Sequence, residues 1–134
     1  MNAKANLDPA PRKRILVVDD EVAVTDLLVE LLRGHGFEAH AVNHPLKVLD
    51  RAGDLRPDLI VMDFVMPKLL GPEVAQLLKN HPSTRDIPVI FLSGMSDEDH
   101  RVIATLSGAA AYLEKPVEHE MLIETIRAQL EKRS

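Results

Sequence analysis

The chain has 134 residues, a length that suits one domain burying roughly 68–70% of its unfolded surface on folding. It has no cysteine, which excludes a disulfide framework, a zinc–thiolate site and a thiol nucleophile, and no apolar run near a membrane span or a signal-peptide core. A formal charge of -5 and an aromatic content of 3% argue against a dedicated nucleic-acid binder; the expectation is a cytoplasmic protein with no membrane or direct nucleic-acid contact.

Residues 1–13 read as a tail carrying Lys4, Arg12 and Lys13, residues 14–131 as the domain, and 132–134 as its end. A first strand, Ile15 to Val18, runs into Asp19 and Asp20. A helix follows with Val24, Leu28, Leu31 and His35 on one inward face and Leu27 beside it, closed between Gly34 and Gly36. Val29 falls outside that stripe. The second strand, Phe37 to Val42, alternates apolar and polar residues and so reads as an edge. A weaker helix spans Pro45 to Ala52. The third strand, Leu59 to Met62, is a continuous apolar run closed by Asp63, and a helix opens at Pro72 with Val74, Leu77 and Leu78 inward. The fourth strand, Ile87 to Leu92, leads to Ser93. Asp97, Glu98 and Asp99 suit the positive end of a fourth helix, which Gly108 stops. A fifth strand, Ala110 to Leu113, precedes Lys115, and the helix after Pro116 buries Leu122, Ile126 and Leu130 on one stripe.

Five strand–helix units of this kind predict a parallel α/β sheet with right-handed crossovers and helices on both faces. Ligands of such sheets bind beyond the carboxyl ends of the strands. That rule gathers Asp19, Asp20, Asp63, Ser93 and Lys115 on one rim. A carboxylate at the end of a buried strand is costly unless paired, metal-bound or protonated, which marks Asp63 as the centre of the chemistry. Three neighbouring carboxylates repel, and hard oxygen ligands without nitrogen or sulfur suit Mg2+, with Mn2+ as a substitute. No loop of closely spaced oxygen ligands favours calcium. A carboxylate can also act as a nucleophile and form an aspartyl-phosphate, with Lys115 neutralising the phosphoryl group and Ser93 donating a hydrogen bond.

Four segments, in this order and separated by strand–helix units, carry a resemblance: Ile15-Leu16-Val17-Val18-Asp19-Asp20-Glu21; Asp63-Phe64-Val65-Met66-Pro67 with Gly71; Leu92-Ser93-Gly94; and Gly108 through Tyr112-Leu113-Glu114-Lys115-Pro116. From about Lys13 to Leu130 the chain resembles the receiver domain of bacterial two-component response regulators. The resemblance implies a flavodoxin-like (βα)5 sandwich with strand order 2-1-3-4-5. It implies that Asp63 accepts a phosphoryl group from a phosphohistidine on a sensor kinase or phosphotransfer protein. Asp20, Asp63 and the backbone carbonyl of Val65 would hold Mg2+, with Asp19 acting partly through water, and the Lys115–Pro116 peptide is cis in this family. Ser93 and Tyr112 would be the switch, and the fourth helix, fifth strand and fifth helix the surface read by a downstream protein. The first helix is where the family commonly meets the kinase, which makes Val29 a candidate contact. A monomer or a phosphorylation-linked dimer is the expected state.

The pattern departs from the family at four positions. Ser93 stands where threonine is more frequent, Ala111 replaces a common aspartate, and Val65 and Met95 are apolar where the residue influences phosphoryl lifetime. Such side chains would hinder water and prolong phosphorylation. Three functional readings follow: a stand-alone signalling receiver with no enzymatic turnover, the N-terminal receiver of a longer transcriptional or enzymatic regulator, and an aspartyl-nucleophile phosphatase. The last normally places an acid two residues after the nucleophile, where this chain has Val65. A flavin-binding protein of the same architecture lacks its phosphate-cradling loop here. Separately from the resemblance, each site residue has a plainer role available: helix capping for Asp19 and Asp20, a loop serine for Ser93, a solvated lysine for Lys115, a half-buried strand aromatic for Tyr112. The six histidines share no evident metal geometry.

Overall fold

Short apolar strands separated by amphipathic helices assemble into a five-stranded parallel sheet in the computed structural model, which describes residues 11–94 and 98–133. The strands are β1 (Arg14–Val18), β2 (Glu38–Val42), β3 (Leu59–Asp63), β4 (Val89–Ser93) and β5 (Ala111–Glu114), and the helices α1 (Val22–Gly34), α2 (Val48–Leu55), α3 (Gly71–Lys79), α4 (Glu98–Leu106) and α5 (His119–Arg133). A 3-10 turn, Pro45–Lys47, leads into α2. The sheet order is β2-β1-β3-β4-β5, as expected, with β2 at one edge.

Alternate strand residues feed two cores. Leu16, Val18, Ile60, Met62, Val89 and Phe91 pack against α2, α3 and α4 on one face. Ile15, Val17, Leu59, Val61, Ile90 and Leu92 pack against α1 and α5 on the other. β1, β3 and β4 are therefore apolar at almost every position, because neither face meets water. β5 is the second edge and its residues are half-buried or exposed, so its apolar run does not mean full coverage. At the β2 edge Glu38 accepts from Arg14 Nε at 2.6 Å and lies 2.7 Å from His40 Nε2, a charged decoration that blunts the open strand.

Two helices sit at a different phase from the sequence expectation. In α1 the buried residues are Thr25, Val29 and Leu32, whereas Val24, Leu28 and Leu31 are half-buried and His35 and Leu27 exposed. Val29, at 9% exposure, is a core residue and not a surface contact. Apolar residues occupy so much of this helix that periodicity does not fix its rotation. Burial of Thr25 becomes affordable because its hydroxyl donates to Val22 O at 3.1 Å and accepts from Asn43. In α3 the inward residues are Val74, Ala75 and Leu78, while Leu77 is 43% exposed. α5 buries Leu122, Ile126 and Leu130 as expected, with Ile123 beside them. Gly36 and Gly108 adopt positive φ (90° and 86°) just beyond α1 and α4, the left-handed exits that glycine takes without a Cβ clash. The acidic start of α4 is seen in Glu98 and Asp99, whereas Asp97 and Met95 lie outside the described residues.

Candidate functional site

Parallel register aligns the carboxyl ends of β1, β3, β4 and β5, so residues distant in sequence meet at one rim. Asp19 follows β1, Asp63 is the last residue of β3, Ser93 is the last residue of β4, and Lys115 directly follows β5. Ligand oxygens of Asp19, Asp20 and Asp63 lie within 4.8 Å of one another. Lys115 Nζ donates to Asp63 Oδ1 at 3.0 Å and lies 3.8 Å from Asp19 Oδ2. One ammonium thus faces two of three carboxylates and leaves the cluster net negative. At an effective dielectric of 20, two unit charges 4 Å apart repel by about 4 kcal/mol. The donor set is all oxygen and only partly exposed, which fits a hard divalent cation such as Mg2+ bound through carboxylates and water.

Asp19 registers the strain of this crowding. Burial, together with the charges of Asp63 and Asp20, pushes its pKa up to about 6 from 3.8. A hydrogen bond from the Glu21 backbone N–H to Asp19 Oδ1 (2.9 Å) and the Lys115 charge oppose that rise without cancelling it.

Ser93 is buried at the end of β4, and the Lys115 backbone N–H donates to its carbonyl at 2.6 Å, tying β4 to the lysine. The Lys115–Pro116 peptide is cis, as the resemblance implied. Val65 lies two residues beyond Asp63 and is 52% exposed, so an apolar residue open to solvent follows the acid closely in the chain. Tyr112 is half-buried on β5. Its ring meets Phe64 edge-on at 5.7 Å, and the Arg101 guanidinium sits 5.0 Å above it. Arg101 also donates to Glu114 at 2.6 Å, so one α4 side chain spans the aromatic and the strand that carries it. Phe64 further contacts Phe91 and His100, at 5.4 and 4.8 Å between centroids.

The backbone next to Asp63 is held from two sides. Phe64 N–H donates to Leu92 O at 2.9 Å, and Gly71 N–H donates to Phe64 O at 2.8 Å. A Cβ on Gly71 would stand 2.6 Å from Asp63 O and 2.7 Å from Phe91 Cε1, so only glycine lets the start of α3 approach this closely. Gly71 belonged to the sequence pattern, but its contact did not.

Sequence reasoning gathered acids, a base and a hydroxyl at the strand ends and passed over Asn43, which follows β2 on the same rim. It also passed over an apolar groove of about 430 Å³ beside Lys115, lined by Val24, Leu27, Leu28, Val117 and Leu122 among others. The strand-end rule would have found the first. The second needed the true phase of α1.

The family model described as the response regulator receiver domain matches residues 15–127. The chain is 33% identical over 119 residues to the DNA-binding response regulator MtrA of Mycobacterium tuberculosis, covering 89% of this chain and 51% of that protein. It spans about half the length of the curated relatives it matches. Among solved structures, a response regulator receiver domain protein from Clostridium thermocellum superposes with a TM-score of 0.83 at 29% identity, over 90% of this chain and 96% of that one. The chemotaxis protein CheY4 of Vibrio cholerae gives a TM-score of 0.84 over 88% and 98% of the two chains. Its 23% identity speaks to the fold alone.

Proposed function

The chain belongs to the response regulator receiver family, and from that membership we propose that it takes a phosphoryl group onto Asp63 from a phosphohistidine and signals the change to a protein partner. The observation that carries this reading is Lys115 Nζ 3.0 Å from Asp63 Oδ1 within a cluster of three carboxylates. An Asp63 oxygen attacks the phosphorus, the O–P bond forms as the P–N bond breaks, and the electron pair leaves on the donor imidazole. Lys115 moves its interaction from the carboxylate to the phosphoryl oxygens, and the Ser93 hydroxyl donates to them. Asp20, Asp63 and the Val65 carbonyl would hold Mg2+ (or Mn2+), with Asp19 acting partly through water. The ion, when bound, neutralises phosphoryl charge in transfer. Tyr112 is the aromatic of the switch.

Val65 occupies the position where an aspartyl phosphatase would carry its acid, so the site is suited to holding a phosphoryl group as a signal in the cytoplasm rather than turning over substrates. The apolar groove of α1 beside Lys115 is where a helix of the kinase or phosphotransfer protein would dock, with Leu27 and Leu28 replacing Val29 as contacts. The downstream surface is α4–β5–α5, where Val102, Leu106 and Met121 are exposed.

Incubation with Mg2+ and acetyl phosphate, followed by intact mass, tests the reading. Wild type gains one phosphoryl group, and Asp63→Asn or wild type with chelator gains none. Equal labelling of wild type and Asp63→Asn contradicts it.

A second reading has a specific observation in its favour, the match to about half of MtrA and its relatives. In it the chain is the receiver part of a longer regulator whose output lies in another domain. A reading frame that continues past Ser134 supports that version, and a native stop codon there supports a stand-alone receiver.

A further inference from the structure

Two of the three clustered acids, Asp19 and Asp20, sit on a short loop between β1 and α1, and that loop is tied down from outside. The Asn43 side-chain amide donates to the backbone carbonyl of Asp19 at 2.9 Å and to Thr25 Oγ1 at 2.8 Å. Both amide hydrogens are thereby used, one at each end of the segment that carries Asp20 and Glu21. Thr25 is fully buried and passes the constraint on, its hydroxyl donating to Val22 O at 3.1 Å. Asp19 N–H donates to Val42 O at 3.2 Å, so the residue before Asn43 grips the same loop from the other side of the peptide. Three carboxylates with oxygens within 4.8 Å push this loop outward, away from Asp63. Asn43 lies just beyond the edge strand β2, and besides satisfying the buried Thr25 hydroxyl its amide reaches the backbone of the acid-bearing loop itself.

We infer that Asn43 is a positioning residue for the metal site, holding the Asp19–Asp20 loop against carboxylate repulsion through its paired bonds to the Asp19 carbonyl and the Thr25 hydroxyl. The inference rests on the reading of the acidic cluster as a Mg2+ site. Outer contacts that orient ligands usually matter 10- to 100-fold in metal affinity, and one acting through the backbone belongs near the lower figure, about tenfold.

The test is Mg2+ titration of the unphosphorylated full chain followed by amide chemical shifts, together with the melting temperature of each metal-free variant. Asn43→Ala weakens Mg2+ binding about tenfold, and its slower labelling by acetyl phosphate recovers at saturating Mg2+. Thr25→Val, which removes one acceptor of the amide, weakens binding in the same direction, whereas Thr25→Ser keeps the hydroxyl and binds as wild type does. This pair decides the matter if Asn43→Ala does not fold. A lower melting temperature with unchanged Mg2+ affinity in Asn43→Ala and Thr25→Val assigns the residues to stability alone and overturns the inference. A wild type that binds no Mg2+ overturns the metal-site reading itself.

Discussion

Among the described residues, Asp19 carries the clearest pH signature. Its folded pKa of about 6 lies above the ordinary 3.8, so the folded chain holds more protons than the unfolded one between those values. Its contribution to stability is therefore most favourable below the lower value and is lost as pH rises through the upper one. Asp19→Asn removes a buried charge and stabilises the metal-free protein at neutral pH by about 1–3 kcal/mol, as read by chemical denaturation. Mg2+ reverses the order by stabilising wild type more than the variant, and that gain fades as pH falls below about 6, where protons compete for Asp19. A denaturation midpoint that ignores Mg2+ at every pH would count against the site. Val65 makes a kinetic prediction. Val65 is an exposed apolar residue two positions after Asp63, and Val65→Asn, by replacing it with a polar side chain that can hydrogen-bond water, is expected to shorten the phosphoryl lifetime. An unchanged hydrolysis rate removes any role for Val65 in that lifetime.

Elements were legible to different depths, for physical reasons. Strand ends could be placed because β1, β3 and β4 are apolar on both faces and stop at polar residues. The rotation of α1 could not, since Val22, Val24, Leu27, Leu28, Val29, Leu31 and Leu32 surround the helix and its one buried polar residue, Thr25, is satisfied by Asn43, a partner eighteen positions away. The same ambiguity put Leu77 inside α3 in place of Ala75, a small apolar residue that the helix turns into the core. At the start of α3, Gly71 allows a close approach to Asp63 and Phe91. Gly71→Ala therefore overpacks the site, lowering stability by about 1–3 kcal/mol and slowing phosphorylation, which denaturation and labelling rates measure. α4 buries only Ala104 and is fastened to β5 by Arg101, which spans Tyr112 and Glu114. Hydrogen exchange should find α4 less protected than α5, which buries four apolar residues, and Arg101→Ala should widen the difference. Equal protection would mean that Arg101 is not the fastening.

At the scale of the whole molecule, one topological rule did most of the work: parallel strands bring their carboxyl ends to a single rim, so Asp19, Asp20, Asp63, Ser93 and Lys115 could be grouped before any coordinate was known. What the rule does not supply is the support behind that rim. The Asn43–Thr25 tie, the Gly71 approach and the Phe64–Tyr112–Arg101 stack depend on tertiary distances that no local pattern encodes. The net result is a scaffold that crowds negative charge at one end and leaves apolar side chains exposed on α1 and α4. Borohydride reduction of the acetyl phosphate-treated chain, which converts an acyl phosphate to the corresponding alcohol, followed by peptide mass mapping, locates the modified residue. The account predicts homoserine at position 63 and unmodified Asp19 and Asp20; a reduced residue elsewhere, or a phosphoryl group resistant to borohydride on Ser93, would contradict it.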